Sequence, residues 1–381
     1  MGTAWNGWSA AAAGTDRKRI FTDFTLSGGA TASVRVLVQN YNPGSGSIQP
    51  KVWSEATITI PNESRTLTKV VEVDLRRRSR FAMGLVARNQ ITFKGNKAKV
   101  DSWNSLFNDD GTPRGTPVNY SAGVAHASGS VGSTSVAVGS VAVNNADIFG
   151  FASVGGNSTT GLSVGSNGMI TGNLSQTSSG VDYSRVATDF SANFDMVASP
   201  STTVVINHPD PLPNPLPTGT YQYNGLISTD LTITGNVTLV LTGAGDNIRL
   251  TGGDELRINS GASLKIYANG DIRAGGNGFV NANGQASSLE IYGVNPTAQH
   301  FDIGGGPTLI GVVYAPNADV DIHGNPDVMG SIVANNITVR GDSKFHYDEA
   351  LANWGGNNPF GIVKWLELTT PTARTAAYAG W

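Results

Sequence analysis

The sequence has no cysteine, few charged residues and few histidines, and each shortage excludes a class of structure or partner. Without cysteine, no disulfide can stabilise the fold, and zinc has no thiolate ligand. The five histidines are scattered without metal-ligand spacing, and no calcium-binding nonapeptide repeat is present, so we expect neither a metal nor a cofactor. The formal net charge of −3 gives no reason to expect nucleic acid or an acidic membrane as a partner.

The sequence also lacks long apolar runs and helical periodicity. No run is long enough for a signal peptide or a membrane span. The glycine-, asparagine- and threonine-rich β pattern nevertheless favours an exported protein, at the cell surface or outside the cell. Its targeting segment would then lie outside this chain, and a membrane attachment would come only through that missing N-terminal segment. No stretch combines helical periodicity with good helix formers, so we expect little helix.

What the sequence does contain is repeats of short alternating strands. Residues 238–241, 263–267 and 288–292 are near-copies, with steps of 263 − 238 = 25 and 288 − 263 = 25 residues. Residues 311–324 are echoed by 330–341, with a step of 330 − 311 = 19. Strands that recur in this way are typical of a chain that winds into stacked circuits. The expected fold is therefore all-β, a right-handed parallel β-helix (solenoid) with a small N-terminal antiparallel β cap.

The repeats also predict which side chains share a column. Leu239, Leu264 and Leu289 should lie over one another inside the winding, because one face of each strand is buried. The matched outward positions are Val240, Lys265 and Glu290. Open ends of such a winding pair with other chains, so we expect them to be blocked. The strand-rich region of residues 20–75 is the candidate for one end, and residues 345–351, Trp354 and 363–368 are the candidates for the other.

Five regions follow from composition and pattern. They are a small strand-rich N-terminal region at 1–80, the first part of the β-helix at 81–180, a proline-rich strap or linker at 181–219, the main β-helix at 220–352 and a C-terminal cap or tail at 353–381. The prolines of residues 209–217 require an extended chain. A strap lying along the winding is favoured over a flexible linker, because circuits on both sides would gain by stacking continuously.

Several short motifs resemble those of PilX-type pilus-assembly proteins. They are residues 82–87 leading into 91–96 and 100–103, and the closing segment 345–351. The resemblance spans roughly residues 20–352 and implies a bacterial relative of minor type IV pilins with a bactofilin-like β-helical region. Such proteins begin with a hydrophobic anchoring helix, which this sequence does not show. Either that helix lies outside this sequence or the protein attaches differently.

One polar cluster allows a test of the enzyme hypothesis. Acid–base cleavage of polysaccharide needs two carboxylates facing one groove. The best candidates are Asp319, Asp321, His323 and Asp327, with His300 and Asp302 one or two circuits earlier. The alternation of the first three places them on one side of a strand. The solvated face of an amphipathic strand is the favoured interpretation, because Thr338 and Arg340 occupy the corresponding places in the next copy.

Three other features have a functional and a structural interpretation. The basic run Arg76, Arg77, Arg78 and Arg80 is a candidate contact for an acidic partner, although a solvated junction is the commoner role. His346 is expected to be a buried histidine bonded to a carboxylate, rather than a catalytic group. Exposed threonines such as Thr232 and Thr234 do not recur on successive circuits, so no ice-binding array is specified.

The sequence therefore favours a non-enzymatic structural or adhesive protein associated with a type IV pilus. Its partners would be other pilus or surface subunits, itself, a glycan or a surface. The alternatives are a β-helical polysaccharide lyase or hydrolase and a self-assembling bactofilin-like scaffold.

Overall fold

The computed structural model describes residues 5–11, 16–41, 50–63, 66–77, 79–95, 98–202, 204–305, 308–355, 360–379 and 381. The chain forms two units, one of residues 1–78 with 357–381 and one of residues 79–356. Strands account for 51% and helical turns for 8% of the structure, which confirms the all-β class. Within the described ranges, no helix has the length and apolar character needed to cross a membrane.

The first unit is built on an antiparallel sheet. Its strands are β1 (Ser9–Ala10), β2 (Arg17–Thr25), β3 (Thr31–Gln39), β4 (Lys51–Thr59) and β5 (Thr66–Arg77), paired in that order. Leu37, Trp53 and Val70 form its buried centre. The predicted antiparallel sheet is therefore present, while its role as a cap stays a prediction.

The second unit begins with a first winding of parallel strands. They are β6 (Leu85–Phe93), β7 (Lys99–Trp103), β8 (Gly129–Ser133), β9 (Val141–Asn144), β10 (Asp147–Val154), β11 (Leu162–Val164), β12 (Met169–Thr171), β13 (Gly180–Val181) and β14 (Val186–Ala187). β8 pairs in parallel with both β6 and β10, and β14 pairs with β10. The first winding thus proceeds away from β6 as the chain advances.

A second winding follows, and it is the longer one. Its strands are β15 (Val204–Ile206), β16 (Gly219–Tyr223), β17 (Leu231–Ile233), β18 (Asn236–Leu241), β19 (Asp246–Leu250), β20 (Glu255–Ile258), β21 (Ser263–Ala268), β22 (Asp271–Ala274), β23 (Gly278–Asn281), β24 (Leu289–Gly293), β25 (Gln299–Gly305), β26 (Leu309–Gly324), β27 (Asp327–Val339) and β28 (Lys344–Asp348). β18, β21 and β24 pair in succession, as do β19, β22 and β25, and β17, β20 and β23. Each circuit therefore adds one strand to each of three parallel ladders.

The last strand and helix return to the first unit. β29 (Phe360–Leu368) pairs antiparallel with β5, and α1 (Pro371–Ala377) follows it. Leu368 and Tyr378 join the core of that sheet. β29 belongs to the same sheet as residues 20–75, so the prediction that residues 363–368 block the opposite end of the parallel winding is wrong. The pattern over 360–368 is that of a strand, and its pairing partner is β5.

The inward columns explain why the winding holds together. One column runs through Tyr221, Leu239, Ile266, Ile291, Val313, Ile332, Leu85, Val131, Ala152 and Val186. Most of these side chains are fully buried, and each full burial of such a side chain contributes about 1.5–3 kcal/mol. The pairings close the parallel β-structure on itself, while its right-handed sense stays a prediction.

The predicted column of Leu239, Leu264 and Leu289 needs a correction. Leu264 and Leu289 are register partners, but the residue over Leu264 is Val237, and Leu239 lies over Ile266. The displacement is two residues. Because side chains alternate with a period of two, such a shift keeps every residue on its predicted face. For the same reason Val240 shares its column with Tyr267 and not with Lys265 and Glu290.

The two windings meet at a seam that chain order does not predict. β27 pairs with β6, and β28 pairs with β7, so the end of the second winding lies on the start of the first. The prediction that residues 345–351 block an end is therefore wrong, because β28 has a strand on each side. Within the parallel unit, the chain therefore begins at β6 in the middle of the stack, and the first winding proceeds to one end. The chain then crosses to the other end, and the second winding returns to β6 and β7.

The crossing segment is an extended strap of residues 189–200. It begins where the Phe190 N–H donates to the Val154 carbonyl (3.0 Å), and it ends against Gln222 and Val240. Between them, the Tyr314 hydroxyl donates to the Asp195 carbonyl at 2.9 Å. Burial raises the pKa of Tyr314 to about 12, so this donor keeps its proton at neutral pH. The strap contacts Tyr314 in an outward column that also contains Tyr267 and Tyr292, which explains a buried aromatic residue at a position predicted to be solvated.

The proline-rich residues 209–217 lie at the start of the second winding and not along its length. The Leu216 N–H donates to the Thr232 carbonyl, and the Leu216 carbonyl accepts from the Thr234 N–H, so both groups face β17. In an extended strand, the backbone N–H and carbonyl groups of the two neighbouring residues point the opposite way, away from β17. Those residues are Pro215 and Pro217, which have no N–H. This edge is therefore poor in donors for an added strand.

The close approach at the seam gives a first prediction. A Cβ on Gly95 would lie 1.9 Å from the Gly341 carbonyl oxygen, a contact that only backbone movement can relieve. We expect Gly95→Ala to lower the free energy of unfolding by about 3 kcal/mol in denaturant titration.

Gly253→Ala is the matched control. A Cβ there meets nothing within 4 Å, so its effect should stay within about 0.5 kcal/mol. Equal stability of the two variants would contradict the tight seam.

Candidate functional site

A continuous polar surface lies on the outward side of β19, β22, β25 and the C-terminal parts of β26, β27 and β6. We call it the polar face. Its central column follows the strand register through Arg249, Arg273, Asp302, Asp321, Thr338 and Thr92. The intervening residues, such as Ile272, Val320 and Ile322, are buried. Strict alternation on parallel strands therefore produces a charged surface on a rigid apolar base.

The structure brings most of the predicted polar cluster to this face. Asp319, Asp321 and His323 project outward from β26, with His300 beside Asp319 and Asp302 beside Asp321. Asp327 is elsewhere: it begins β27, in register with Lys344, and forms a 3.6 Å ion pair with it. The cluster is thus distributed over two ladders.

Each carboxylate of the cluster is engaged by a neighbour. Asp321 accepts from Arg340 Nε at 2.9 Å and from Nη2 at 2.6 Å. Asp319 accepts from Asn335 (3.2 Å) and Asn336 (2.7 Å). A two-carboxylate hydrolase needs one carboxylic acid with a raised pKa and a second free carboxylate. The observed pairing instead gives a surface of hydrogen-bonded carboxylates.

His323 and Asp302 form a pair across adjacent strands. His323 Nε2 lies 2.6 Å from Asp302 Oδ1. The imidazole ring lies flat over Gly304, where a Cβ would come within 2.4 Å of His323 Cε1. A glycine in the neighbouring strand therefore makes room for this histidine. Across the described parts of the chain, no three acidic or histidine side chains form a metal-binding group.

An arginine pair on the same face was not predicted. Arg249 and Arg273 are register partners, and both bind Asp246; the Arg249 Nε distance is 2.7 Å and the Arg273 Nε distance is 3.3 Å. A signal existed in the sequence. Asp246 and Arg249 recur as Asp271 and Arg273 at nearly the same interval as the other repeats. It was missed because the strand bulges between Asp246 and Ile248, which makes the two copies unequal in length.

The predicted basic run is divided between the two units. Arg76 and Arg77 end β5, whose backbone pairs with β29. Arg78 lies outside the described residues. Arg80 belongs to the parallel unit, where its guanidinium lies 5.2 Å from the centre of the Tyr314 ring. The sequence predicts that Arg80 is solvated or contacts an acidic partner, but its side chain packs on an aromatic residue.

His346 lies in a buried polar cluster at the seam. Its Nδ1 bonds to Asp101, its register partner on β7, and its ring stacks on Tyr120 at 3.6 Å between centroids. Asp101 also accepts from Lys99 Nζ (2.9 Å) and the Tyr120 hydroxyl (2.7 Å). Burial alone would raise the pKa of Asp101, but the bonds from His346, Lys99 and Tyr120 outweigh it and hold the pKa below its ordinary value.

This cluster predicts how stability depends on pH. A carboxyl group with a depressed folded-state pKa stabilises the fold above its ordinary pKa of 3.8, and that contribution is lost as the pH falls through the lower folded value. We expect Asp101→Asn to cost about 3 kcal/mol at pH 7 and to flatten the loss of stability below about pH 4. Thermal unfolding from pH 7 to pH 2.5 measures both effects.

Asp348→Asn is the control for this pH dependence. Burial raises the pKa of Asp348, so its contribution has the opposite sign, and its removal should not flatten the acid limb. An Asp101→Asn variant with the wild-type slope below pH 4 would contradict the assignment.

One family model is similar to part of the chain. Residues 171–354 match a domain of unknown function, DUF7305. That match includes most of the second winding and the polar face. No PilX family match was found, and no curated protein matches the chain.

Solved structures give only weak matches. An ice-binding protein DUF3494 domain from Shewanella frigidimarina is 16% identical, covers 71% of this chain and 95% of its own, and has a TM-score of 0.29. The competence-associated pilin ComZ from Thermus thermophilus is 10% identical, covers 92% of this chain and 87% of its own, and also scores 0.29. An ice-binding protein from Antarctomyces psychrotrophicus is 12% identical, covers 70% and 95%, and scores 0.26. At these scores the matches carry no argument about function.

Proposed function

We propose that this chain is a non-enzymatic, extracellular structural and adhesive protein that presents the polar face to a surface, a glycan or another subunit. The parallel winding, taken as a right-handed β-helix, would hold this face rigid. The observation that carries the proposal is the polar face itself. Successive outward columns continue over strands of both windings, on a base of fully buried residues.

The pairing of charges supports binding over catalysis. Asp319, Asp321 and Asp302 each bond to a side chain of the chain itself, and Arg340 forms a two-atom bond to Asp321. Such a surface offers many fixed donors and acceptors over a broad area. A partner that spans several strands would use them together, whereas a reaction centre requires a few groups converging on one point.

Association with a type IV pilus-like filament is the finer part of the proposal. The motifs that resemble PilX-type proteins are β6, β7 and β28, the strands on either side of the seam. Other pilus or surface subunits are the proposed partners.

The bactofilin-like scaffold receives less support from the structure. A self-stacking winding needs open strand edges at its ends. At the start of the second winding, Pro215 and Pro217 occupy the positions whose N–H groups would face an added strand. In the ladder of β17, this edge therefore disfavours the addition of a second copy.

The enzyme alternative gives the sharpest test. We expect the wild-type chain to be retained on polysaccharide-coated beads without releasing reducing ends or unsaturated products from a glycan panel. Asp321→Ala should leave product at background. It should also change the free energy of unfolding by less than about 1 kcal/mol, because its partner Arg340 is half exposed.

The opposite outcome is equally clear. Release of product by the wild type, together with its loss in Asp321→Ala and its persistence in Asp327→Ala, would replace the adhesive proposal with a hydrolase or lyase.

A further inference from the structure

A shallow groove lies at one side of the polar face. It has a volume of about 290 Å³ and is open to solvent. One wall is formed by Arg249 and Arg273, and the other by His323 and Asp302. The floor between them is formed by Gly275 and Gly304, outward positions at which other strands carry side chains.

The arginine wall has more N–H donors than its shared carboxylate can accept. Two guanidinium groups on adjacent strands share the single carboxylate of Asp246. Like charges directly opposite one another on a sheet are destabilising, and the bonds to Asp246 use only some of the N–H donors of the two groups. The Asp246 side chain is 9% exposed, whereas the Arg249 and Arg273 side chains are 52% and 51% exposed. The carboxylate therefore holds the pair from below, and the remaining N–H donors face solvent.

The opposite wall is held in place as well. The 2.6 Å contact with Asp302 and the close packing on Gly304 fix the His323 ring at the edge of the groove. Asp302 bonds to this histidine, and Arg273, its register partner, pairs with Asp246. The groove thus combines fixed cationic donors with a floor that leaves space beside them.

We propose that this groove binds the carboxylate of an acidic polysaccharide, a uronate residue, between Arg249 and Arg273. The planar guanidinium fork matches a carboxylate in a two-atom geometry, and two forks on a rigid sheet bind with little loss of side-chain freedom. The open ends of the groove admit a residue within a longer chain, while the glycine floor accommodates its ring. This inference rests on the proposed adhesive function and names its ligand class.

The test uses the full chain and oligogalacturonate, with the fully methyl-esterified oligomer as the neutral comparison. Isothermal titration should show binding of the acid and none of the ester at the same concentrations. Arg249→Ala and Arg273→Ala should each weaken binding about tenfold or more. Arg257→Ala is the matched control: it removes an arginine of 42% side-chain exposure, paired with Glu255 on a different ladder, and should stay within about twofold.

A second variant fills the groove without changing its charge. A Cβ on Gly275 would meet only the Leu250 carbonyl, at an ordinary 3.4 Å, so Gly275→Gln should fold and place its side chain over the floor. We expect it to abolish oligogalacturonate binding while leaving the thermal midpoint within a few degrees. Sulfate and phosphate as competitors distinguish a general oxyanion site from a uronate site.

Four results would overturn the inference. They are no binding of oligogalacturonate by the wild type, equal binding of acid and ester, equal losses in Arg257→Ala and Arg273→Ala, and full competition by inorganic sulfate or phosphate at concentrations comparable to the uronate. None of them would remove adhesion through other parts of the polar face. Retention of the wild type on neutral polysaccharide beads would show that the broader proposal survives.

Discussion

The pairing of β27 and β28 with β6 and β7 is the constraint on which the rest of the parallel unit depends. The two windings are separate stretches of chain, and only this seam makes their interior columns continuous. Ile332 meets Leu85 in the core, and His346 meets Asp101 in a buried polar cluster. Buried charges without partners are strongly unfavourable, so the cluster ties the stability of each winding to the presence of the other. The same pairing holds the polar face rigid, because its columns cross from β27 to β6.

Local pattern predicted the strands, their buried faces and the spacing of the circuits, but not their order in space. The alternation at 263–268 and 289–293 identifies inward residues whatever the neighbour is. The predicted register at Leu239 is wrong by two residues, because the intervals between circuits vary. The sequence carries no signal for the longer connection. The seam could not be predicted because neighbouring circuits in space, such as β27 and β6, are far apart in sequence. Alternation within a strand does not indicate which strand lies beside it. The pairing of β29 with β5 is a second example.

The candidate site was found in part for similar reasons. Asp319, Asp321 and His323 were recognisable because they alternate within one strand. Arg249 and Arg273 come together only when two circuits stack, and a bulge conceals their repeat. The aromatic column under the strap shows the converse. Tyr314 alternates like a solvated residue, but a distant extended segment bonds to it and its side chain is buried. Burial by a non-local segment leaves no periodic trace in the sequence.

The absence of native cysteine allows the seam to be tested directly, because any introduced pair is unique. Thr92 and Thr338 are outward register partners across the seam, at a spacing that a disulfide can bridge. The measurement is the rate of intramolecular disulfide formation in Thr92→Cys/Thr338→Cys, compared with Ala187→Cys/Val205→Cys, which would be adjacent if the windings stacked in chain order. The structure predicts rapid closure of the first pair and none of the second. The reverse result would show that the windings follow one another in sequence, and it would contradict the seam.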